Sequence, residues 1–75
     1  MYYYRCIREE GSLPDTGSYT TFGIMALKYA NGRWQKLAFI SDVSLDYRMV
    51  QDLASLCTQY QLHPCHLLDV VEDAI

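Results

Sequence analysis

The pair Asn31-Gly32 stands between two apolar runs, Tyr19 to Ala30 and Arg33 to Ile40. Both central residues of a type I′ turn need φ > 0, which Asn tolerates and Gly adopts freely, so the pair specifies a β-hairpin and its register. In that register Ala30 opposes Arg33, Tyr29 opposes Trp34, Leu27 opposes Lys36, Met25 opposes Ala38 and Ile24 opposes Phe39. Side chains alternate across a strand, so Phe22, Ile24, Ala26, Leu37 and Phe39 are expected on one face. Met25, Leu27, Tyr29, Trp34, Ala38 and Ile40 are expected on the other, with Lys36 the only charge among them.

The rest of the chain supplies the layers around this hairpin. Tyr2 to Glu9 reads as a first strand, closed by a loop over Gly11 to Ser18. After Ile40 the period becomes helical: Ser44 is the expected N-cap, and Met49, Val50, Leu53, Leu56, Cys57 and Tyr60 recur on one stripe of a helix over Leu45 to Gln61. Pro64 suits the first position of a second helix, because its missing N–H has no partner there, and that helix runs to Ala74. The expected fold is α+β, one domain over residues 1–75. It comprises a three-stranded antiparallel meander followed by two helices packed on one face, in the order β-β-β-α-α. Size scaling gives such a domain a radius of gyration of about 11 Å.

Composition narrows the function classes. A formal charge of −3, with the six basic residues scattered, argues against a nucleic-acid surface. No apolar run approaches the roughly 20 residues that span a bilayer. Met1 is followed by Tyr2-Tyr3-Tyr4-Arg5, which is no export signal, and three cysteines leave one unpaired in any scheme. Both observations fit a reducing cytoplasm.

Tyr2-Tyr3-Tyr4 opening a strand, Phe22-Gly23-Ile24, Ile40-Ser41 and above all the segment from Pro64-Cys65-His66-Leu67 through Asp73 resemble a family of small bacterial proteins of unknown function, mostly from Gram-positive anaerobes. The resemblance implies a bacterial setting and brings no activity with it.

Three constellations carry candidate chemistry. Cys57, His63, Cys65 and His66 are four zinc-ligand types within ten residues, but Cys65 and His66 are consecutive and point about 100° apart on a helix. Cys65 with His63, His66 and Asp69 invites a nucleophile reading, although nucleophile and base normally converge from separate elements. Asp69, Glu72 and Asp73 form an acidic edge, a contact for a basic partner or for Arg5, Arg8 or Arg48. Among the aromatics, Tyr29 and Trp34 are expected at an interface and Phe22, Phe39 and Tyr60 in the core.

The helices can cover only one of two apolar sheet faces, leaving roughly a few hundred Å² of the other. The resulting expectation is a cytoplasmic, non-catalytic interaction or regulatory module without cofactor. It self-associates as a homodimer, or meets another protein, through Met25, Leu27, Tyr29, Trp34 and Ile40. The alternative is a metal-binding protein using the Cys/His cluster.

Overall fold

The computed structural model describes residues 1–75 as β1 (Tyr2–Leu13), β2 (Gly17–Ala30), β3 (Arg33–Ser44), α1 (Tyr47–Gln59), a 3₁₀ turn (Pro64–His66) and α2 (Leu67–Ala74). The strands form one antiparallel sheet in the order β1-β2-β3, so the β-β-β-α-α architecture holds. The segment expected as a loop over Gly11 to Ser18 is instead mostly paired: β1 and β2 continue to the pair Leu13–Gly17. Only Pro14, Asp15 and Thr16 turn, and Gly17 supplies a left-handed residue (φ 86°) that closes the reversal. This long ribbon stretches the molecule to 45 × 27 × 19 Å and raises the radius of gyration to 13.3 Å, above the expectation for a sphere-like domain.

At the second hairpin Asn31 (φ 54°) and Gly32 (φ 74°) are both left-handed, as a type I′ turn requires. Next to the turn the pairs are those expected: Ala30–Arg33, Tyr29–Trp34 and Leu27–Lys36. Then Ala26 pairs with Ala38, leaving Leu37 as an extra residue in a β-bulge. One inserted residue reverses the alternation beyond it. Met25 therefore pairs with Phe39 and Ile24 with Ile40, so Ala38 and Ile40 turn to the helices and Phe39 turns away. Phe39 is 37% exposed and is not in the core.

A second irregularity sets Ser41, Asp42 and Val43 opposite Gly23 alone. Glu9 of β1 reaches across Gly23 and accepts hydrogen bonds from the Ser41 hydroxyl (2.7 Å) and the Asp42 N–H (2.8 Å). A Cβ at Gly23 would lie 2.6 Å from the Ile40 carbonyl oxygen and 2.9 Å from the Glu9 carboxylate, so no side chain fits there. Asp42, itself left-handed (φ 54°), accepts from the buried Thr21 hydroxyl.

Tyr4, Ile24, Ala26 and Val43 from the sheet meet Val50, Ala54, Cys57, Leu67 and Val71 from the helices in one core. The cap of α1 is Asp46, whose side chain accepts from Met49 N–H (3.3 Å). Ser44, the residue expected to cap, instead accepts from Asp46 N–H (3.0 Å), and the helix begins two residues later than expected. At the other end Leu62 N–H donates to Cys57 O (3.0 Å) and Gln61 N–H to Thr58 O (3.2 Å), a Schellman closure with Gln61 in the left-handed position (φ 52°). The helix thus stops at Gln59, and Tyr60 is 73% exposed where the periodicity had put it in the core.

Candidate functional site

Alternation and the Leu37 bulge together set the face of the sheet turned away from the helices. It carries Tyr3, Arg5 and Ile7 of β1, Met25, Leu27 and Tyr29 of β2, and Trp34, Lys36 and Phe39 of β3. Toward its Asn31-Gly32 end the indole of Trp34 is the hub of an aromatic cluster: the Tyr3 ring lies 5.0 Å away at 75° and the Tyr29 ring 5.2 Å away at 64°. These edge-to-face contacts suit the ring quadrupoles, and Trp34 remains 56% exposed. Beside it is a cleft of about 550 Å³, lined by Tyr3, Arg5, Met25, Leu27 and Trp34, with Tyr4 and Thr58 at the β1 edge. The far end of the same face is closed by the Glu9, Ser41 and Asp42 hydrogen bonds. The chain's one ion pair is Arg8–Glu10 (3.0 Å), so Arg5 and Lys36 face solvent without a carboxylate partner.

Four of the five residues expected on this surface lie on it: Met25, Leu27, Tyr29 and Trp34. Ile40 does not, because the bulge turns it to the core side, and Phe39 takes that place. Tyr3 was missed because the register of β1 depends on its connection to β2, which is the tight turn at Pro14, Asp15 and Thr16 and not the longer loop expected over Gly11 to Ser18.

The Cys/His cluster is dispersed. Cys57 is buried, and burial pushes its thiol pKa up, as it does for the half-buried Cys6. Cys65, His63 and His66 are at the surface, with the two imidazole rings 6.4 Å apart. His63 packs on Tyr2 (5.4 Å), and its Nδ1 accepts from Cys65 N–H (3.2 Å), capping the 3₁₀ turn. No three His, Cys, Asp or Glu side chains converge to hold an ion. Asp69, Glu72 and Asp73 are exposed and pair with none of Arg5, Arg8 or Arg48. Asp69 falls in the first turn of α2, where the helix dipole favours an acid. No helix is long and apolar enough to cross a membrane.

Residues 1–75 match the family of unknown function DUF6514, and the protein belongs to that family. No curated protein and no solved structure matches the chain.

Proposed function

We propose that the chain is a non-catalytic protein-interaction module of the bacterial cytoplasm, working through the outer sheet face, and that its partner there is a second copy of itself. The observation that carries this reading is Trp34, half exposed at the centre of an aromatic cluster on an uncovered sheet face. Burying a few hundred Å² of such surface per subunit contributes on the order of 10 kcal/mol, against association costs of about 4–15 kcal/mol. Two-fold packing sets the patch against itself, with Tyr29 and Trp34 as rigid anchors. Lys36 extends its stem along the face and keeps its ammonium in water at the rim. The cleft lining is mostly apolar, with Arg5, Thr58 and the Tyr3 and Tyr4 phenols as its polar groups, so the surface offers shape and apolar area to a partner. Three free cysteines and the likeness of the Pro64 to Asp73 segment to small bacterial proteins support the bacterial cytoplasm.

Trp34→Glu tests the proposal. The expected variant has wild-type circular dichroism and half the wild-type mass by light scattering. A folded variant that keeps the wild-type mass, or a wild type that is monomeric at high micromolar concentration, contradicts it.

A further inference from the structure

We propose that the groove between α1 and α2 is a second docking surface, and that its occupant is a basic amphipathic helix of a partner protein. The groove, about 240 Å³, is lined only by apolar side chains: Leu53, Leu56, Cys57, Tyr60, Leu62 and Val70. On α1 the core stripe is Val50, Ala54 and Cys57, and Leu53, Leu56 and Tyr60 form a second apolar stripe beside it. Leu53 still packs against the core, but Leu56 is 49% exposed and Tyr60 73%, so the outer part of this stripe is left uncovered. The Schellman closure of α1 sets Leu62 against Cys57 and gives the groove its end wall.

Charge selects the occupant. Residues 45–75 carry Asp46, Asp52, Asp69, Glu72 and Asp73 against a single cation, Arg48. Helical spacing places Asp52 beside Leu56 on one flank and Asp73 beside Val70 on the other. Asp69 and Asp73, four residues apart and unpaired, repel each other until a cation arrives. The groove walls are side chains, offering no open backbone edge to an added strand. A helix with its apolar face in the groove and Lys or Arg along both flanks satisfies the apolar floor and the acidic rims together. A second copy does not, because its own helical layer is equally acidic.

The probe is a fluorescein-labelled peptide of roughly 16 residues, long enough to form a helix on binding, with Leu at i, i+3, i+4 and i+7 and Lys elsewhere. A scrambled peptide of the same composition and a patterned peptide with Glu for Lys are the controls. The patterned basic peptide is expected to bind saturably, at least about tenfold tighter than either control, and to weaken on raising salt from about 0.05 to 0.5 M. Leu56→Glu discriminates further: it adds an acid, so purely electrostatic attachment tightens, whereas groove docking weakens by about tenfold. Tyr60→Ser weakens it too, and Trp34→Glu leaves it unchanged, which separates this surface from the outer sheet face. Equal binding of the scrambled peptide, absence of saturable binding by the wild type, or wild-type affinity in folded Leu56→Glu and Tyr60→Ser overturns the proposal.

Discussion

Tyr4 ties the sheet to the helical layer through both its backbone and its side chain. Its N–H donates to the Thr58 hydroxyl (2.9 Å), its phenol donates to the Leu62 carbonyl, and its ring is in the core. Burial, with the Cys57 thiol adding to it, raises the phenol pKa from 10.0 to about 12. The phenolate is therefore disfavoured in the folded chain, while an unfolded tyrosine ionises near its ordinary value. The stability this group contributes is complete below about pH 10 and is lost progressively as pH rises toward about 12. Tyr4→Phe removes both the hydrogen bond and the titration. Urea unfolding at about pH 9 is expected to show the wild type more stable by about 1 kcal/mol, with the gap narrowing or reversing at about pH 11. A gap independent of pH contradicts the assignment.

The junction of α1 with β1 shows an element solving two problems with one residue. Edge strands expose unpaired backbone groups, and here Gln61 donates to Tyr2 O (2.9 Å) and accepts from Tyr2 N–H (2.8 Å), so its amide stands in for a neighbouring strand. Gln61 does this from a left-handed position where glycine is the usual occupant, at a conformational cost of about 1 kcal/mol. Gln61→Gly is expected to leave global stability within about 1 kcal/mol, since the lost hydrogen bonds and the relieved backbone oppose each other. Hydrogen exchange at the Tyr2 amide, by contrast, becomes fast, while exchange in β2 stays as in the wild type; unchanged Tyr2 exchange contradicts the bridging role. Such junctions also mark where sequence reading stops. Asn31-Gly32 was legible because few residue pairs adopt φ > 0 twice, and the pairs next to the turn followed from it. The bulge at Leu37 was not legible, since no Gly or Pro marks it, and it exchanges the faces of Ile40 and Phe39. Helix ends moved for a similar reason: Ser44 and Asp46 are both capable caps, and their mutual hydrogen bond decides between them.

At the scale of the whole molecule the chain is an elongated sheet with one covered and one open face. Within residues 1–75 the two short helices both lie on one side of the three long strands, which leaves the other side open. Its apolar character was legible from composition and alternation, whereas its outline required the register of all three strands, because Tyr3 and Phe39 enter it only through pairing. Trp34 is the single tryptophan of the chain and lies half exposed on that face, at its Asn31-Gly32 end, so it reports directly on the self-association proposed for it. The decisive measurement is the tryptophan emission maximum of the unmodified protein on dilution from high micromolar to nanomolar concentration, with circular dichroism confirming that the fold persists. The expected result is a red shift along a sigmoidal, concentration-dependent transition as the indole leaves a buried interface for water. A red-shifted maximum that stays constant over the whole range contradicts association through the outer sheet face.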